Sequence, residues 1–187
     1  MVRPPFCAVI LAGGTAARLG GADKASIEVG GRTLLARALD AVIDATEVVV
    51  VGDPVPTERP VSFVRENPRY GGPAAGLLTG RDALLRRPSL LAVLAVDMPR
   101  LGPATFARLQ DAAAGHDGAV LVDPTGRRQL AMVLDVARLD AVRPDHEGQH
   151  GLALHRLLAP LDLAEVPAEG DEHRDVDTWS DLRDLTE

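Results

Sequence analysis

Leu90–Val96, LLAVLAV, is an unbroken apolar run that stops at Asp97-Met98-Pro99. A strand with one wet face alternates apolar and polar residues, so a run with no polar residue must be covered on both faces. Val48–Val51, VVVV, demands the same cover. Candidate strands are Cys7–Leu11, Glu47–Val51, Val61–Arg65, Leu90–Val96, Gly118–Val122, Leu130–Leu134 and Ala164–Val166. Helical spacing falls at Leu34–Ile43, Gly76–Leu85, Pro103–Ala114 and Gly151–Leu158. This alternation predicts an α/β fold, a three-layer sandwich about a mostly parallel, Rossmann-like sheet. The 187 residues suit a single domain over 1–187, and no internal repeat or long linker divides them. Aromatic residues are only 3% of the chain, so Ala, Val and Leu must build the core.

The formal net charge of −7 argues against non-specific nucleic-acid binding, which needs an accumulated positive face. No apolar run approaches a membrane span. The start, MVRPPFCAVILAGG, runs from a short apolar stretch straight into glycines, which fits a buried first strand and not a secretory signal. Cys7 is the only cysteine, is expected to face the core of that strand, and sets a cytoplasmic expectation.

In open α/β sheets ligands bind outside the carboxyl ends of the strands. That rule selects the loop after Leu11, the Gly52–Asp53 corner, Glu66–Gly76 and Asp97–Pro99. The first of these reads LAGGTAARLGGADK and ends in Lys24, the one lysine among 20 lysine and arginine residues. Gly13 and Gly14 let backbone N–H groups turn toward an anion. Arg18 can grip phosphate through two parallel donors, and Lys24 adds a compact charge with rotatable donors. Asp23 can orient Lys24 or tie the loop together. The spacing is neither that of a P-loop nor that of a dinucleotide fingerprint.

LAGGTAARLGGADK resembles the signature L-A-G-G-x-x-x-R-M-G-x-D-K of the nucleotidyltransferases related to molybdenum cofactor guanylyltransferase, with Leu19 in place of the usual methionine. The resemblance implies a fold of the nucleotide-diphospho-sugar transferase type. It also implies transfer of a nucleoside monophosphate from an NTP to a phosphorylated acceptor, with Mg²⁺ and release of pyrophosphate. In its specific form it implies GTP as donor and molybdopterin as acceptor. Onto this chain it carries nucleotide-binding roles at Leu11, Ala12, Gly13, Gly14, Lys24, Gly52, Asn67, Gly72 and Asp97, with Arg18, Lys24 and Asp97 catalytic.

Asp97, fixed by Pro99 at a strand end, has the hard oxygen chemistry that suits Mg²⁺. The family's Asp-x-Pro metal site falls on it. Asp175-Val176-Asp177-Thr178-Trp179 resembles the family's C-terminal motif, with Trp179 replacing a proline. One of Asp175 and Asp177 is expected near the metal, Asp177 as a second ligand, while Thr178 can instead cap a last helix.

ENPRYGGPAAGL, Glu66–Leu77, resembles the segment that shapes the family's base pocket. Asn67 can both donate to and accept from a base edge. The family's guanylyltransferases often place an aspartate near this point to meet the donors of guanine, and an asparagine where this chain has Gly52. Guanine and cytosine therefore both stay open, and a transferase using CTP or another NTP on a different phosphorylated acceptor is the rival within the class. A non-catalytic nucleotide-binding partner is the rival outside it. Arg127, Arg128 and Gln129 occupy the neighbourhood that faces the acceptor in the family; a solvated hairpin edge is the alternative. His146–His150 fits H-E-x-x-H, but Pro144, Gly148 and Gly151 make a helix there poor, so a loop is expected and no zinc site.

Overall fold

The computed structural model describes residues 3–13, 23–67 and 71–185. Among these, β1 (Phe6–Leu11) leads to the short hairpin β2 (Glu28–Val29) and β3 (Arg32–Thr33), then α1 (Leu34–Ala41) and β4 (Val48–Val51). β5 (Ser62–Val64), α2 (Gly72–Ala83), β6 (Leu90–Ala95), α3 (Pro103–Ala112) and β7 (Gly118–Val122) follow. The chain continues through β8 (Arg128–Asp135), α4 (Val136–Val142), α5 (Leu154–Leu158), β9 (Leu163–Pro167) and α6 (Trp179–Asp184).

Seven of these strands form one sheet in the order β5-β4-β1-β6-β8-β7-β9. β8 runs against β6 and β7; the other neighbouring pairs are parallel. The expected mostly parallel sheet is the observed one. Alternation along β1 shows how both faces are covered. Phe6, Ala8 and Ile10 pack with Leu35 and Leu39 of α1, Phe106 and Leu109 of α3 and Leu182 of α6. Cys7 and Val9 pack with Leu77 and Leu78 of α2, Leu139 of α4 and Leu157 of α5. Cys7 is fully buried, as its place in the first strand required.

The largest differences from the sequence reading fall at three helices. Helix α2 starts at Gly72, where Gly72 takes φ +84° and Pro73 opens the first turn, so the glycine-proline pair that reads as loop is the helix start. The last turn of chain before α5 is non-helical: Gly151 takes φ +66° and helix begins only at Leu154. Helix α4 was not anticipated, because Asp135 both ends β8 and caps α4 by accepting from the Arg138 N–H at 2.9 Å, leaving no turn between them. Residues 146–151 form turns, as expected for the H-E-x-x-H segment.

Helix α2 approaches the sheet through Gly76 and Gly80. A Cβ on Gly80 would stand 2.5 Å and 2.9 Å from the two methyls of Val9. The closeness brings the N-terminal end of α2 over the ends of β1 and β4.

Candidate active site

The strand ends are level because the ladder continues one residue past them. The Ala12 N–H donates to the Val51 carbonyl at 2.9 Å, Val96 N–H to Leu11 at 3.0 Å, and Gly52 N–H to Val64 at 2.8 Å. Above this edge lies a cavity of about 990 Å³. Leu11, Ala12 and Gly13 after β1, Gly72 at the start of α2, Lys24, and Asp97 after β6 all line it. Arg127, Arg128 and Gln129 line it from the β7–β8 hairpin. Gly14 and Arg18 lie outside the described residues.

Lys24 sits on a three-residue 3₁₀ turn whose start Asp23 caps, accepting from the Ala25 N–H at 3.0 Å. Asp23 thus closes the turn that carries Lys24. The Lys24 Nζ donates to Asp97 Oδ2 at 2.9 Å and to Asp177 Oδ1 at 2.8 Å. Burial works against the Lys24 ammonium most strongly, but the hydrogen bonds and charges of Asp177 and Asp97 outweigh it, and its pKa stands above the ordinary lysine value.

Asp177 reaches this point on a C-terminal strap that spans Ala168–Thr178. Val176, near its end, is buried and donates its N–H to the Asp97 carbonyl. Asp181 Oδ2 accepts from the N–H groups of Asp177 and Thr178, and Thr178 Oγ1 accepts from the Asp181 N–H, so Thr178 caps α6 and the cap fixes the turn after Asp177. Farther back, Glu172 accepts from Arg108, Thr105 and the Glu169 N–H. Burial raises the Glu172 pKa, but these bonds, Arg108 first, carry it below the usual glutamate value. Asp175 lines the cavity, and burial, then the charges of Asp177 and Asp97, push its carboxyl up. Both strap aspartates therefore belong to the site: Asp177 by contact with Lys24, Asp175 as wall.

Among the described residues, Gly52 and Asn67 are not cavity wall, and Asp177 meets Lys24 without lining the cavity itself. A Cβ on Gly52 would lie 3.1 Å from the Ala12 Cβ, so Gly52 is packed directly against Ala12. Asn67 is held by its backbone, its N–H donating to Thr79 Oγ1 at 3.0 Å. The wall residue at this point is Glu66, one position earlier. Its place directly after the expected strand Val61–Arg65 is the sequence signal that marks it. Across the cavity Arg128 pairs with Glu165 at 3.0 Å, and the Gln129 amide is spent on Asp123 and the Arg127 carbonyl. His155 and Leu154 of α5 complete that wall.

Among the described residues no three His, Cys, Asp or Glu side chains are grouped to hold a metal ion, and no helix is long and apolar enough to cross a membrane.

Residues 8–166 match the model of the MobA-like NTP transferase domain. The chain is 37% identical to the molybdenum cofactor guanylyltransferase of Rhodopseudomonas palustris (strain HaA2), over 71% of this chain and 66% of that protein. It is 33% identical to that of Acidiphilium cryptum (strain JF-5), over 94% of this chain and 91% of that one. In fold it resembles the crystal structure of Rv0371c from Mycobacterium tuberculosis H37Rv, with a TM-score of 0.76, 20% identity and 99% of each chain covered. That protein has also been solved in complex with manganese. This chain is a nucleotidyltransferase of the MobA-like NTP transferase family.

Proposed function

We propose that the protein transfers GMP from GTP to a phosphorylated acceptor, molybdopterin, with a divalent cation, Mg²⁺, and release of pyrophosphate. The observation that carries this reading is the convergence of Lys24, Asp97 and Asp177 at the carboxyl edge of the sheet, at the cavity that Ala12 and Gly13 also line. A cavity of about 990 Å³ also leaves room for a second substrate beside a nucleotide.

The donor set fits the cation. Asp97 and Asp177 are hard oxygen donors already aimed at one positive charge, and a Mg²⁺ ion takes one or two carboxylates plus phosphate oxygens and water. Bound there, it would neutralise charge on the triphosphate and the leaving pyrophosphate. The chain's own groups do the rest. The Gly13 backbone and Lys24 hold the phosphates, with Arg18 assigned beside them from the sequence motif. An oxygen of the acceptor phosphate forms a bond to the α-phosphorus of GTP. The α–β bridging bond breaks, and pyrophosphate leaves with the electron pair. Positioning and electrostatics suffice, and no nucleophilic side chain is needed.

Glu66 favours guanine over cytosine. An ionised carboxylate only accepts, and guanine presents adjacent N–H donors where cytosine presents one amino donor beside two acceptors. Arg127, Arg128 and Gln129 form the acceptor wall in this reading, with Arg127 the free hand, because Arg128 and Gln129 already have partners.

The test is a thermal-shift series with GTP, CTP, ATP and UTP, each with and without Mg²⁺, followed by pyrophosphate release with molybdopterin as acceptor. A ligand that binds only the native state raises the midpoint. Selective stabilisation by GTP with Mg²⁺, and pyrophosphate formed only when molybdopterin is present, are expected. Selection of CTP would overturn the base assignment, and no shift with any nucleotide would overturn the site.

A further inference from the structure

Lys24 does more here than wait for phosphate. Its Nζ stands 2.9 Å and 2.8 Å from oxygens of Asp97 and Asp177, which come from β6 and from the C-terminal strap. With Asp175 nearby, these carboxylates would repel one another without a cation between them. The ammonium therefore occupies the position that a divalent cation needs. A doubly charged ion bound to the same two oxygens would lie close to a fixed ammonium, and Coulomb repulsion at that range in a partly buried site disfavours both together.

We infer that Lys24 and the divalent cation are alternative occupants of the Asp97–Asp177 pair, so that the cation enters only as Lys24 leaves for the triphosphate. This rests on the reading of Asp97 and Asp177 as cation ligands. The geometry permits the exchange. The Lys24 side chain is a flexible four-carbon stem on a 3₁₀ turn and lines the open cavity. Asp177 is 46% exposed, so a cation can approach without opening the core. A triphosphate entering the cavity supplies the negative charge that draws the ammonium away. Cation and nucleotide then bind with positive coupling, and Lys24 is the element that couples them.

Mn²⁺ binding, read by electron paramagnetic resonance of the free ion, tests this without turnover. In wild type without nucleotide, Mn²⁺ should bind weakly, and GTP should tighten it. Lys24→Met should bind Mn²⁺ about tenfold tighter without nucleotide, and the tightening by GTP should largely disappear. Arg127→Met removes the same charge from the same cavity and should change Mn²⁺ affinity less than about twofold. Lys24→Met binding Mn²⁺ no tighter than wild type would overturn the exchange, as would an equal gain in Arg127→Met. Lys24→Gln, with its thermal midpoint measured alongside, repeats the test if Lys24→Met folds poorly. Adding Asp97→Asn to Lys24→Met should abolish the gain. If Asp97→Asn alone, with GTP, binds Mn²⁺ as well as wild type with GTP does, the cation assignment itself fails, and that outcome is distinct from failure of the exchange alone.

Discussion

The backbone N–H of Val176 donates to the carbonyl oxygen of Asp97 at 2.8 Å. This one bond locks the C-terminal strap to the end of β6, with the Val176 side chain turned into the core. Asp175 and Asp177 on either side of it face the cavity and Lys24. The family match ends at residue 166, so these two carboxylates come from the part of the chain beyond it.

Val176→Ala should therefore act in two ways. Losing two buried carbons costs about 1.5–2 kcal/mol of stability at ~0.8 kcal/mol each. The strap should also loosen, so Mn²⁺ affinity in the presence of GTP falls. Urea unfolding and the Mn²⁺ titration read the two effects separately.

Asp97→Asn keeps the shape of the side chain and removes its charge. Turnover should fall about 10²–10³-fold, the size seen when one preorganised electrostatic contact to a developing charge is lost. Steady-state pyrophosphate release would measure it, and activity within twofold of wild type would contradict the assignment.

Glu66→Gln should weaken discrimination between GTP and CTP. A hydrogen bond to a charged group contributes about 1.5–3 kcal/mol, so the GTP-over-CTP preference should drop by about 10–100-fold. Competition between the two nucleotides in a binding assay reads the ratio directly.

Gly80→Ala sets helix propensity against sterics. Alanine gains about 1 kcal/mol in a helix interior. At this position its Cβ would meet both Val9 methyls within 3.0 Å, and Val9 is a fully buried, β-branched neighbour with nowhere to go. Overpacking of this kind costs about 1–3 kcal/mol, so the net effect should be destabilising. A raised thermal midpoint would contradict the contact.

The Glu172–Arg108 tether gives an acid-side signature. Its folded pKa lies below the unfolded value, so its contribution is fully present above the ordinary glutamate pKa of about 4.3 and fades as pH falls through the lower folded value. The stability difference between wild type and Glu172→Gln should be constant from about pH 5 to 7 and shrink below about pH 4. Thermal midpoints across that range measure it.

LLAVLAV and VVVV were legible because a strand buried on both faces leaves no polar residue to misread. Lys24 and Asp97 were legible as residues, through a long motif and a strand end. Their contact with each other was not, and neither was the bond from Lys24 to Asp177, which depends on a strap whose path is set by Val176 and Glu172. Glu66 was missed for the opposite reason. Its carboxylate is ordinary in sequence, and only the close approach of α2 through Gly76 and Gly80 makes that spot a wall. The β2–β3 hairpin, two residues a side, is too short to carry a period.

The reversal of β8 has an evolutionary corollary. Because β8 alone runs backward, the turn from Asp123 to Arg127 that precedes it emerges on the same edge as the ends of β1 and β6. That tip is self-contained: Asp123 Oδ1 accepts from the Thr125 and Arg127 N–H groups, and the strands below carry the register. One surface turn can thus be lengthened, shortened or rewritten while β1, β4 and β6 stay untouched. On the acceptor wall proposed above, a scaffold wired in this way can change what it modifies without relearning how to hold a nucleotide.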